Sequence, residues 1–227
     1  MGRTATDSAP PPAPTLSTPE RILEAAIQLF NAEGIQNVAM HRIAAEVGIS
    51  PGNLAYHFAG KRDLLLALLP RLEQQLREAL PIPEGTITAG HAAEYQINLF
   101  RTLWRQRFFF NSLTHLLSRD EELRTRYMAF QQDVVAALRG LLDGLVSSGG
   151  MRAVVAPNTT WLLAMNMWML WLSWLRFEQI NNPESEVAEN AAIFDGALHH
   201  FSLMQTYYGK KFADELFAHL ETLRKRA

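Results

Sequence analysis

The chain of 227 residues is long enough for one large or two modest domains, and its 48% apolar and 19% charged residues describe an ordered chain. It has no cysteine, which excludes disulfides and thiolate metal centres and fits a reducing, cytoplasmic setting. With 21 Lys and Arg against 23 Asp and Glu the net charge is −2, so general attraction to polyanions is excluded and nucleic-acid contact needs a local patch.

Residues 1–17, rich in Ala, Pro, Ser and Thr, predict a disordered arm without the apolar segment of a secretion signal. Helical spacing dominates from there on, and no strand alternation or hairpin signal interrupts it. Thr18 as cap and Pro19 as first residue predict a helix that buries Ile22, Leu23, Ala26, Leu29 and Phe30 and ends at Gly34. A second helix is predicted over about 40–47 and a third over about 51–57. A fourth runs from Gly60-Lys61 toward Leu80 on a ridge of Leu64, Leu65, Leu68, Leu72 and Leu76. Pro70 inside it removes a backbone donor, costs about 3 kcal/mol in a regular helix, and predicts a kink near 66–70. The stretch Pro81-Ile82-Pro83-Glu84-Gly85 predicts a linker close to a domain boundary.

Further helices are predicted over about 89–107, with Tyr95, Leu99, Leu103 and Trp104 inside, and over about 109–118 and 120–147. Three more cover the stretch from Pro157-Asn158 to about 180, then 186–207 and 210–225, with Asn181-Asn182-Pro183 as a stop. The fold class is all-α. The most apolar run, Trp161 to Leu175, has 15 residues, short of the about 20 needed to span a membrane.

The most informative stretch is Gly48-Ile49-Ser50-Pro51-Gly52-Asn53-Leu54-Ala55-Tyr56-His57-Phe58-Ala59-Gly60-Lys61, which reads as the turn and second helix of a helix-turn-helix. Gly48 can take positive φ after a helix that buries Ile43, Ala44 and Val47. Ser50 is an N-cap and Pro51 a first helical residue, while Leu54 and Phe58, four apart, hold the helix to the protein. Gly52 and Asn53 then form a small polar leading edge of the kind the major groove accepts. Ser50 and the backbone N–H groups of Gly52 and Asn53 suit phosphate, and the Asn53 amide suits adenine. His41 and Arg42 are candidates for the groove from the preceding helix. Between residues 40 and 62, Arg42, Lys61 and Arg62 stand against Glu46 alone, a formal charge of +2.

The pattern Ile43-Ala44-x-x-Val47-Gly48-Ile49-Ser50, with Asn53-Leu54-x-Tyr56-His57-Phe58 and Lys61, resembles the DNA-binding domain of TetR-type transcriptional repressors over about residues 18–66. Arg107-Phe108-Phe109-Phe110 and the later Arg119-Asp120-Glu121-Glu122-Leu123-Arg124-x-Arg126-Tyr127 resemble one branch of that family. The resemblance implies an N-terminal three-helix DNA-binding domain joined by a long helix to a ligand-binding and dimerisation domain over 67–227. It also implies a homodimer on double-stranded operator DNA, released by a small-molecule effector. It places Tyr56 and His57 near the sugar-phosphate backbone or a base edge, and Lys61 on a phosphate. Two positions depart from the family pattern: Ala55 stands where an aromatic is usual, and Val38-Ala39-Met40 lacks the usual Thr.

In the second domain Trp161, Met165, Trp168, Leu172 and Leu175 recur at helical spacing, with Met167, Met169, Leu170, Trp171 and Trp174 on the other sides. A helix apolar all round is expected to be buried all round, in core and subunit interface. Effector-pocket candidates are the apolar Trp104, Phe108, Met165 and Trp168 with the polar Asn111, His115, Asn166, His199 and Tyr207. No nucleophile turn or glycine-rich phosphate cradle is present, and the adjacent His199 and His200 diverge by about 100° on a helix. No enzyme activity, metal or cofactor is assigned. Two alternatives stay open at this point: a regulator that answers to no small molecule, and an all-helical ligand carrier or lipid-handling protein without DNA binding.

Overall fold

The computed structural model describes residues 16–81, 85–182 and 189–226. Of the predicted N-terminal arm, only Leu16 and Ser17 fall within them; the middle of the predicted linker and the stop at Pro183 lie outside. Eleven helices and no strand are found among the described residues, with one isolated bridge between Met151 and Tyr208.

Helix α1 (Thr18–Glu33) is capped by Ser17, one residue before the expected cap Thr18, which is its first helical residue. The cause is Glu20, whose carboxylate accepts both the Ser17 N–H at 2.8 Å and the Ser17 hydroxyl at 2.7 Å. Helices α2 (Met40–Val47), α3 (Pro51–His57) and α4 (Lys61–Ala79) follow. α1 packs on α2 and α4, and α2 on α3, around fully buried Ile22, Phe30, Ile43, Leu54 and Leu64. Each such side chain contributes about 1.5–3 kcal/mol by leaving water. α4 runs unbroken through Pro70, which sits on its exposed side.

The rest comprises α5 (Ala89–Arg105), α6 (Arg107–Asn111), α7 (Leu113–Leu117), α8 (Glu121–Ser147), α9 (Thr160–Asn181), α10 (Glu189–Met204) and α11 (Lys210–Arg226). α5 is the hub, packed against α4, α9, α10 and α11. It stops at Arg105 because Asn31 from α1 takes up the backbone there: the Asn31 amide donates to the Arg105 carbonyl at 2.8 Å and accepts the Phe108 N–H at 3.0 Å. The single helix expected over 109–118 is two short ones, α6 and α7, separated at Ser112, which leaves helical geometry with φ −97° and ψ 3°. Tyr95 is half-buried, stacked on His91; Gln96 takes the interior position and donates to the Ala197 carbonyl.

Gly196 lets α10 approach α5 and α9, since a Cβ there would lie 2.6 Å from Phe100 and 2.7 Å from Trp174. α9 buries Leu163, Ala164, Met167, Trp168, Trp171, Trp174 and Leu175. It is not buried all round in the single chain, because its neighbours α8 and α10 cover one side and leave Leu162, Met169, Phe177 and Ile180 exposed. Phe110 meets Trp168 at 5.9 Å and Phe109 at 5.6 Å; Phe109 meets Phe108 at 6.4 Å, and Phe108 meets Phe30 of α1 at 5.3 Å. The Phe108-Phe109-Phe110 motif thereby joins the two halves of the molecule by aromatic contact. Among the described residues, no helix is long and apolar enough to cross a membrane.

Candidate nucleic-acid interface

The turn between α2 and α3 is set by local chemistry. Gly48 takes φ 74° and ψ 35°, the left-handed conformation that costs a residue with a Cβ about 1–2 kcal/mol. Ser50 then caps α3, its hydroxyl accepting the Asn53 N–H at 3.1 Å, and Pro51 opens the helix. Leu54 and Phe58 are buried, so the opposite side of α3 is fixed outward: Pro51, Gly52, Asn53, Ala55 and Tyr56 are exposed, Tyr56 at 85%. His57 is half-buried with its ring 5.1 Å from that of Tyr56, edge to face. An exposed tyrosine beside a short polar helix edge is a surface without an internal partner.

Arg21 was not anticipated as part of this unit. Its guanidinium donates to the Val47 carbonyl at 2.6 Å, capping the end of α2 and tying α1 to the turn. A cation one turn into α1 was the only signal in the sequence, and it named no partner.

The cations are less free than the sequence window suggests. Arg42, exposed near His41 on α2, pairs with Glu46 at 2.8 Å and lies 3.6 Å from Glu33. Arg62 is held by Asp120 and Glu122, each at 2.6 Å. Glu33, Asp120 and Glu122 lie outside residues 40–62, so the formal +2 overstates the local field. The Lys61 ammonium donates to the Ile35 carbonyl at 2.7 Å and the Gln36 carbonyl at 3.1 Å. Partial burial lowers its pKa from the ordinary lysine value. It is neither a freely solvated lysine nor a bare phosphate clamp; it closes the α1–α2 turn and keeps one N–H unspent.

The nine effector-pocket candidates are not brought together. Trp104, Phe108 and Trp168 are buried in packed core, Asn111, His115, Met165 and Tyr207 are half-buried, and Asn166 and His199 are exposed. Of the nine, only Met165 lines one of the described cavities. His199 lies 3.4 Å from Asp195 at the surface, while His200 is buried against Phe100 and Trp171. Burial pushes the His200 pKa down to about 4.

A three-helix reading head on a helical body defines a class, the one-component helix-turn-helix regulator, and comparison with known proteins narrows it. Residues 22–68 match the family described as bacterial regulatory proteins, tetR family, and residues 71–216 match a family described as bacterial transcriptional repressor. The chain belongs to the TetR family. It is 36% identical over 74 residues to the HTH-type transcriptional repressor DrrR1 of Streptomyces coeruleorubidus, a match covering 33% of this chain and 27% of that protein. The chain therefore aligns with about a quarter of the curated relative's length. A TetR-family transcriptional regulator from Marinobacter aquaeolei VT8 superimposes with a TM-score of 0.80 and 27% identity, over 91% of this chain and 98% of that one. SmeT, the repressor of a Stenotrophomonas maltophilia multidrug efflux pump, solved in complex with triclosan, shares the fold with a TM-score of 0.60 and 19% identity. That match covers 86% of this chain and 93% of SmeT.

Proposed function

We propose that this TetR-family protein is a repressor that binds operator DNA as a homodimer and leaves it when a small apolar or aromatic effector binds. The observation that carries the reading is the outward edge of α3, where Gly52, Asn53 and Tyr56 stand exposed on a helix that Leu54 and Phe58 hold rigidly. A helical carrier would have no use for such an edge. Asn53 is the base-reading candidate, with Ser50, the first-turn N–H groups, His57 and the remaining N–H of Lys61 toward phosphate. The domain over 18–66 carries these residues and the part over 67–227 senses and dimerises. The exposed Leu162, Met169, Phe177 and Ile180 of α9 with Leu203 of α10 form the proposed dimer face.

The test is a band-shift titration on the DNA upstream of the chain's own reading frame. Asn53→Ala is expected to lose about 1–3 kcal/mol on the best site and little on random duplex. Equal losses on both would assign Asn53 to the backbone and leave base reading to another residue.

A further inference from the structure

Helix α5 ends at Arg105 and the chain restarts as α6 at Arg107, which leaves backbone groups at the break without a helical partner. Two of them are taken up by α1 of the reading head. The Asn31 amide donates to the Arg105 carbonyl at 2.8 Å, and its oxygen accepts the Phe108 N–H at 3.0 Å. One side chain thus spends both its ends on the break. A donor and an acceptor used together fix distance and orientation, which apolar contact, being non-directional, does not.

The surroundings make this a mount and not a chance contact. Phe30, next to Asn31 and fully buried, meets the Phe108 ring at 5.3 Å. Glu24, two turns earlier on α1, pairs with Arg105. Among the described residues, both side-chain hydrogen bonds of Asn31 run to the body and none to the head. α1 in turn packs on α2, and α2 on α3, so the seating of α1 on the body carries the seating of α3.

From this geometry we infer that Asn31 is a positioning residue for operator binding. By pinning the end of α1 to the α5–α6 break it sets the angle of the reading head, and with it the half-site spacing that the dimer accepts. The inference rests on the homodimeric repressor proposed above. B-DNA turns by about 34–36° per base pair, so one base pair added between half-sites both shifts and rotates the second. A head held at one angle fails there, and a head free to tilt follows. Without Asn31 the Phe30–Phe108 contact and the chain itself still hold the head, so the loss is one of angle and not of attachment.

The test uses the full chain on duplexes carrying the half-sites of the upstream DNA at their natural spacing, and with one base pair added or removed. The wild type is expected to lose about tenfold or more on either altered spacing. Asn31→Ala is expected to lose less than about threefold there, and Asn31→Asp, which keeps only the acceptor for the Phe108 N–H, falls between. Glu24→Gln, which removes a solvent-facing ion pair, is expected to follow the wild type. A merely structural Asn31 would weaken binding at every spacing alike, and that unchanged ratio overturns the assignment. A second measurement needs no DNA. The chain has no cysteine, so nitroxides at Ala45→Cys on α2 and Gln132→Cys on α8 report one head-to-body distance when labelled chain is diluted with unlabelled. Electron–electron double resonance is expected to give a narrow distribution in wild type, broadened at least about twofold in both Asn31 variants. Equal widths overturn the assignment even where no duplex is shifted, and Asn31→Asp decides if Asn31→Ala does not fold. Broadening in a chain that binds one half-site as tightly as two overturns the dimeric reading and leaves Asn31 as the residue that sets the head angle.

Discussion

Lys61 shows how a single side chain can carry a fold and a site together. Its two carbonyl contacts close the α1–α2 turn, so Lys61→Ala leaves the Ile35 and Gln36 carbonyls without their cation. The expected loss is about 1–3 kcal/mol of stability, read as a lower melting temperature of the free protein. A variant that melts like wild type would reduce Lys61 to a surface charge. His200 makes a second prediction at this scale, and its direction follows from burial. Phe100 and Trp171 face its ring, and the depressed pKa of about 4 lies below the roughly 6.5 of an unfolded histidine. Between these values the unfolded chain binds a proton that the folded chain refuses. Stability from a neutral His200 is therefore complete above about pH 6.5 and falls as pH drops toward 4, by on the order of 3 kcal/mol in all. His200→Phe should flatten the melting temperature across that window. The buried stripe of α1, the αL Gly48 and the Ser50 cap were all legible in the sequence, because each is decided within a few residues of itself. The partners of Lys61, Arg62 and Arg42 were not, since they come from other elements.

At the scale of elements, the junction between the two halves is the informative part. Asn31 bonds the end of α5 and the start of α6, Glu24 pairs with Arg105, and Arg62 spans from α4 to the first turn of α8. Asp120 serves twice there. It caps α8 by accepting the Leu123 N–H at 3.0 Å, and it holds Arg62. These contacts, the Leu123 N–H first and Arg62 second, lower its pKa from the ordinary carboxylate value. Asp120→Ala should cost about 0.5–2 kcal/mol through the lost cap alone, seen as a lower denaturation midpoint. Asp120→Asn retains an acceptor for the cap but loses the charge pair, so it should cost less. Equal costs would mean that the Arg62 pair carries the whole effect and the cap contributes nothing. Helix periods made α4, α5, α8 and α9 readable along the chain. The break between α5 and α6 was not readable, because it answers to Asn31, far away in sequence.

For the molecule as a whole, α9 carries the argument. Its composition predicts burial on every side, yet Met169 is 50% exposed, Phe177 56% and Ile180 71% in the single chain. A proposed two-fold partner accounts for that surplus, and stable interfaces of this kind bury more than about 2,000 Å² in total. Ile180→Glu combined with Phe177→Glu is expected to turn a sedimenting dimer into a folded monomer at micromolar concentration. A wild-type chain that already sediments as a monomer would contradict the proposed interface. The clefts between helices were the least legible feature. Trp104, Trp168 and the other pocket candidates share only apolar or polar residue type, whereas a cavity depends on where two helices diverge, which no local pattern encodes. Hydroxyl-radical footprinting of the upstream DNA tests most directly whether two copies of α3 read two sites at once, as proposed. Two protected patches about 34–36 Å apart, one helical turn, are expected, both lost in Asn53→Ala with Tyr56→Ala. A single patch, or uniform protection that both substitutions leave intact, would contradict it.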